Sequence, residues 1–460
     1  MEVREIWTPA GRREISISKV GRNSVHVLTG PNGSGKTETL VKLLDGGRFM
    51  YSPRVHSPSV IGVPARVISQ TFSPFSRFPP PLESGRSLLD YFSEYAADDL
   101  TYTCIGLHSR TRFVGTGLTK QVIEQAIYRL SEQVGGVGAI FQVLRGLELR
   151  DALTLTYVAH KPYTSIAAER KDRFNAIYKF LSGLVREPRG RNEAFVRSLK
   201  RQLERTNLRD LAELIGTAFD VTERLVTGSR LTLELDGAYR KTLDFALLQA
   251  LSLLRRVGLL ELKACEITNI HGRRFDVAGA SSGQQQMLCS IVGLAASLRR
   301  NSLVVVDEPE LSLHPNWQMS YLDLLEAALA PHEGCHVFLA THSPLIVQRA
   351  QEKGVVVLQM DQVKEVGNFG SRYQPPSVEG ALLDVFHTPI AGSTYLANQI
   401  LIAVTEGTSG RPGSHGAAIK ELERLYETYS NRSVVGMEQK ELPLIVEAME
   451  FVRAEGDADD

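Results

Sequence analysis

The sequence predicts an α/β protein, and three observations carry that prediction. Short apolar runs of strand type stand near both ends of the chain, at Ser24–Thr29, 303–306 and His336–Ala340. A glycine-rich turn over 30–35 follows the first run and leads into a helical stretch. Between the two ends, from about 118 to 257, apolar residues recur at helical spacing.

Taken in order, residues 14–20 and 24–29 read as two short strands broken by Gly21, Arg22 and Asn23. Residues 63–69 read as another strand, and the proline-rich 72–81 as a surface loop. Val122, Ile123, Ala126, Ile127 and Leu130 then line one helical face. Three further sets follow: Phe174, Ile177, Leu181, Leu184; Leu211, Leu214, Ile215, Ala218, Phe219; and Leu247, Leu248, Leu251, Leu254. Gly, Pro and Asn break these sets apart, so they predict several ordinary helices and no long coiled coil. A helix is expected over 287–298, and the chain is helical again from about 377, with 395–406 as helix and Pro443 opening a last one.

Length and charge bound the function. The 460 residues suggest about three domains, at roughly 150 residues each. Lys+Arg and Asp+Glu are both 52, which excludes a globally basic nucleic-acid binder. No run of apolar residues is long enough for a transmembrane helix, and the first residues lack the apolar core of a secretory signal. Cys104, Cys265, Cys289 and Cys335 are scattered, which fits a reduced, cytoplasmic protein without a disulfide framework or zinc site. No membrane partner is expected.

Chemistry concentrates in four places. Gly30, Asn32, Gly33, Ser34, Gly35, Lys36 and Thr37 lie in a full P-loop pattern between a strand and a helix. Glycines let backbone N–H groups converge on phosphates, Lys36 reaches the β/γ-phosphates of ATP, and the Thr37 hydroxyl ligates Mg2+. An apolar strand ending in Asp307 and Glu308 aims Asp307 at that metal and sets Glu308 to orient the attacking water. Ser281, Ser282, Gly283 and Gln284 open a helix, presenting hydroxyls and free N–H groups to an anion; the same residues also make a common N-cap. His342, in Ala340-Thr341-His342-Ser343-Pro344, follows a strand and is placed to sense a γ-phosphate or to serve the local structure.

The order of these motifs resembles the ABC-type ATPase heads. The run Val305-Val306-Asp307-Glu308-Pro309-Glu310-Leu311-Ser312-Leu313-His314-Pro315, followed by Thr341-His342-Ser343-Pro344, is most similar to the soluble branch holding the SMC-like, recombination-repair and overcoming-lysogenization-defect ATPases. The resemblance implies a mixed-sheet head from residues 1–117 and 258–375, a helical insertion over 118–257 and a helical C-terminal cap over 376–460. It makes Ser281–Gln284 a signature loop acting on the γ-phosphate held by a second copy, Glu308 the catalytic glutamate and His342 the switch histidine. Gln70 is its candidate for a glutamine on Mg2+ and water. Ala280, Ser282 and His314 depart from the transporter-type pattern, which speaks against a transporter subunit. No adenine-stacking aromatic stands out, and Trp7 fits that place or the core equally.

Residues 161–209 carry 13 Lys/Arg against 5 Asp/Glu, including Arg186, Arg189, Arg191, Arg197, Lys200, Arg201, Arg205 and Arg209. That stretch reads either as a contact to a DNA backbone or as solvated faces and pairs with acids. Residues 406–460 are the reverse, 12 acids against 6 bases, and read as a cap or as a surface for a basic partner. The start Glu406-Gly407 superficially resembles a TOPRIM nuclease, but too little chain follows to build one. The overall layout is similar to the ATPases of Septu-type, or PARIS-type, anti-phage systems. By that resemblance the chain is a slowly hydrolysing ATPase that pairs with itself around ATP and regulates a separate nuclease. The alternative is a DNA-repair ATPase, and a transporter subunit comes third.

Overall fold

The computed structural model describes residues 2–3, 5–8, 11–14, 22–49, 60–61, 64–79, 102–106, 118–131, 138–186, 207–236, 243–360, 365–366, 376–409, 411, 413–430 and 441–456. Two compact units divide the chain. One comprises Met1–Trp7, Arg12–Val25 and Thr37–Ala340; the other comprises Thr8–Gly11, His26–Lys36 and Thr341–Asp460. The strand Ser24–Thr29 and the helix Lys36–Phe49 pass from one set of residues to the other.

The first unit holds four parallel strands in the order His336–Ala340, Ser302–Asp307, Arg66–Thr71, Tyr102–Gly106. Every residue of Ser302–Asp307 is buried, which is why its sequence is a continuous apolar run without alternation. The register sets Asp307 beside Ala340 on one side and Thr71 on the other. The strand expected at 63–69 therefore lies slightly later, at Arg66–Thr71. Beyond it, 72–79 is a loop, as its prolines require. It is not wholly superficial, because Phe78 is fully buried while Phe75 stands 87% exposed. The strand expected at 14–20 falls on residues of which only Glu14 is described, at the end of the strand Gly11–Glu14.

The insertion is not purely helical, which corrects the expectation for 118–257. It carries the helices Leu118–Ser131, Gly138–Gly146, Lys161–Ala168, Arg173–Arg186, Leu208–Thr222 and Leu243–Arg256. It also carries Leu149–Ala159, Val226–Thr227 and Arg230–Asp236, which join Leu260–Asn269 and Arg274–Asp276 in a five-stranded antiparallel sheet. Leu231, Leu233 and Leu235 pair with Tyr157, Leu155 and Leu153, and these six residues are buried. Alternation of that kind gives one covered face and one polar face. The sheet draws strands from both sides of position 257, so no break in structure falls there.

In the second unit, Val356–Gln359 runs parallel to Ser24–Thr29 with Gln359 beside Thr29, and antiparallel to Glu365–Val366. The helices Thr394–Gly407, Ser414–Ser430 and Glu441–Gly456 follow. They pack through Leu396, Leu425, Tyr429 and Ile445, and through Ala403, Leu422, Ala448 and Val452. The Glu406-Gly407 pair thus closes a helix and starts no nuclease strand. No described helix is long and apolar enough to cross a membrane. All four cysteines are buried and in no disulfide.

Candidate functional site

The phosphate-type turn begins at the end of the strand Ser24–Thr29. Gly33 and Gly35 both adopt φ of +83°, a left-handed backbone that side-chain-bearing residues avoid. Pro31, Asn32 and Gly33 are exposed. Lys36 is buried, and its Nζ donates to the carbonyls of Gly30 at 2.8 Å and Pro31 at 3.0 Å, and to Ser34 Oγ at 3.4 Å. Carbonyls curled around the ammonium hold it at the mouth of the turn, where phosphate oxygens are its natural replacement. In the same unit, Thr341 N–H donates to Leu28 O at 3.0 Å, which anchors the Thr341-His342-Ser343 turn to the strand before the glycines. Ser343 caps the helix Pro344–Glu352 by accepting from Ile346 N at 3.2 Å. His342 is half-buried; burial first, and the charge of Lys36 second, lower its pKa to about 4, so the ring is neutral at pH 7.

In the first unit, Thr37 Oγ1 donates to Asp307 Oδ2 at 3.0 Å and lies 3.3 Å from Oδ1. Asp307 is 5% exposed and Thr37 is partly buried, so this carboxylate and hydroxyl form a half-covered pair of hard oxygen donors. Such a pair suits Mg2+, which takes one or two protein oxygens and fills its other positions with phosphate and water. Among the described residues no group of three or more His, Cys, Asp or Glu could hold a metal. Glu308 follows with φ of +50°, a left-handed conformation at a residue that is not glycine. Its N–H donates to Ala340 O at 2.9 Å, which holds the turn in place. Strained backbone of this kind costs on the order of 1–3 kcal/mol and is found where a side chain must be aimed.

Ser281–Gln284 closes as a capping box. Ser281 Oγ accepts from Gln284 N at 3.3 Å, and Gln284 Oε1 accepts from Ser281 N at 3.1 Å. The Gln284 side chain thereby belongs to the turn itself, whereas Ser281 and Ser282 are exposed. Gly283 is required by contact: a Cβ there would lie 2.6 Å from Ser312 O and 2.9 Å from the Trp317 ring. Gln286 Nε2 donates to Pro309 O at 3.0 Å. The turn is therefore fastened to the loop that follows Asp307 and Glu308. His314 caps the helix Pro315–Leu329 and accepts from Asn316 N at 3.3 Å.

Gln70 stands near the end of the strand Arg66–Thr71. Val306 pairs with Gln70 and Asp307 with Thr71 across two parallel strands. Neighbouring residues of a strand point to opposite faces, so Gln70 shares the Val306 face and Thr71 the Asp307 face. Its amide donates to Ser290 Oγ. Sequence reasoning missed Ser290 and Tyr321, whose hydroxyls lie 3.2 Å apart. Their signal was a polar residue at a position of an otherwise apolar helix stripe, which is weak on its own.

Most of the basic cluster, Arg189, Arg191, Arg197, Lys200, Arg201 and Arg205, lies outside the described residues. Nearby, Arg173 pairs with Asp220 at 2.6 Å and Glu223 at 2.7 Å, and Arg170 pairs with Glu223 at 2.6 Å. Part of the stretch's positive charge is thus already matched by acids of the following helix and turn.

Residues 154–348 match a family model described as an AAA domain, putative AbiEii toxin, Type IV TA system. The matched span contains Ser281–Gln284, Asp307, Glu308 and His342, and it supports an ABC-like P-loop ATPase. A comparison with curated proteins finds no match.

Proposed function

We propose that the chain is a Mg2+-dependent ATPase that closes in pairs around ATP and governs an associated nuclease in anti-phage defence. The observation that carries the reading is the Thr37 hydroxyl on the Asp307 carboxylate, 3.0 Å away, with Lys36 immediately before one and Glu308 immediately after the other. Backbone N–H groups of 30–36 and the Lys36 ammonium bind the triphosphate. Thr37 and Asp307 would hold Mg2+, which would supply positive charge to the phosphate oxygens. Glu308 orients a water and takes its proton as the water oxygen bonds to the γ-phosphorus and the bond to the β–γ bridging oxygen breaks. The neutral His342 hydrogen-bonds the departing phosphoryl group. Ser281, Ser282 and the N–H of Gly283 complete the site of a second copy. The defence role draws on the toxin–antitoxin description of the matched family and on the layout resemblance.

The test is Glu308→Gln. The substitution keeps shape and the metal pair but removes the proton acceptor. Turnover should fall by about 100-fold or more, the usual scale for general-base loss, while radiolabelled ATP stays bound. A variant that hydrolyses ATP as fast as the natural chain would show the role of Glu308 to be wrong.

A further inference from the structure

Gln70 is 1% exposed, Ser290 2% and Tyr321 0%, and they form a polar chain inside an apolar interior. Gln70 stands at the end of Arg66–Thr71, whose backbone pairs with the strand carrying Asp307. Ser290 stands on Leu288–Val292, a π-helical turn that directly continues the Ser282–Met287 helix. Widened turns of this type re-aim side chains and concentrate at working parts of proteins. Tyr321 stands on Pro315–Leu329, after the loop that Gly283 and Gln286 touch. Burial raises the Tyr321 pKa, so its hydroxyl keeps its proton.

The arrangement is a poor one for stability alone. The Gln70 Oε1 atom is buried and has no hydrogen-bond partner among the described residues. Leaving such a group unpaired is costly, and a leucine of similar volume would avoid that cost. From this geometry we infer that Gln70 is a positioning residue: the bridge Gln70–Ser290–Tyr321 fixes the Ser281–Gln284 turn relative to the strand end that bears Asp307 and Glu308. Contacts at Gly283 and Gln286 hold the turn from one side, and the buried bridge holds the helix behind it from the other. The serines offered to a second copy's nucleotide are then set in place by the same strands that hold the chain's own metal pair. This inference rests on the ATPase reading for its purpose, though not for its geometry.

The experiment compares Gln70→Leu, Ser290→Ala and their double variant with the natural chain. Each single variant should lower ATP turnover on the order of 10-fold through misplacement of the turn. The KM for ATP and the half-saturating Mg2+ concentration should not move, and the double variant should be no worse than the worse single one. A rise in half-saturating Mg2+ for Gln70→Leu alone, with Ser290→Ala silent, would return Gln70 to the metal and overturn the inference. Amide hydrogen exchange gives a readout free of nucleotide. Exchange over 282–292 should speed up in Gln70→Leu while the melting temperature holds or rises. Unchanged exchange there overturns the bridge even if the natural chain binds no ATP, a result that would separately defeat the ATPase reading.

Discussion

His342 shows how much of the site's chemistry is set by single residues and their nearest charges. Its ring is half-buried near Lys36, and burial before charge lowers its pKa from the usual 6.5 to about 4. In the unfolded chain the ring gains its proton near pH 6.5; in the folded chain it resists until about 4. The unfolded state therefore binds more protons across that window, so stability is full above pH 6.5 and declines as pH falls toward 4. Urea unfolding of nucleotide-free protein at a series of pH values checks this. Replacing the ring by His342→Gln should flatten the slope between pH 6.5 and 4, and an unaltered slope would assign the window to other groups. Lys36 and Glu308 make the complementary point. The ammonium is folded back on its own loop carbonyls, and the carboxylate is carried by a backbone turned left-handed, so both are arranged before any ligand arrives.

At the scale of elements, the Ser282–Met287 helix start behaves as one body with the loop after Glu308. The decisive contact is Gly283, where any Cβ meets the fixed backbone oxygen of Ser312 at 2.6 Å. Gly283→Ala should destabilise by about 1–3 kcal/mol, the range for forcing an extra methyl into a packed place. Gly279→Ala, where nothing lies within 4 Å, should be nearly silent in the same urea measurement. Equal effects from the two would remove the argument for a pinned turn. Some of these elements were legible in sequence and others were not, for physical reasons. The phosphate turn, the Asp307–Glu308 strand end and the Thr341–Ser343 turn place their chemistry in contiguous residues, so local pattern suffices. The side-chain direction of Gln70 depends on its register against a strand far away in sequence, and one residue of slip would reverse it. Ser290 depends on a π turn, which a 3.6-residue period does not foresee. The antiparallel sheet was visible in the strict alternation of Leu231, Leu233 and Leu235, but longer helical sets on either side dominated the reading.

At the scale of the whole molecule, Ser281 and Ser282 face solvent although the turn beneath them is held by a capping box, a glycine contact and a buried bridge. The Ser281 hydroxyl caps its own helix, and the exposed Ser282 beside it leaves this turn open to a second copy on the proposed reading. On the proposed reading, the same turn placed against the triphosphate of a second copy would complete a site that neither copy holds alone. Two-fold pairing of identical chains then makes two equal composite sites. Mixing defective copies tests this directly. Lys36→Ala spoils a copy's own nucleotide turn, and Ser282→Arg spoils only what it lends. Each variant alone should be inactive. In a mixed pair, one site combines both defects, and the other joins an intact turn to an intact lysine. With random pairing, half the pairs are mixed, so activity should return to about a quarter of the natural level. No recovery, with both variants folded and still associating, would mean that each chain completes its own site. Recovery would make assembly itself the switch, because ATP would be turned over only where two copies have met.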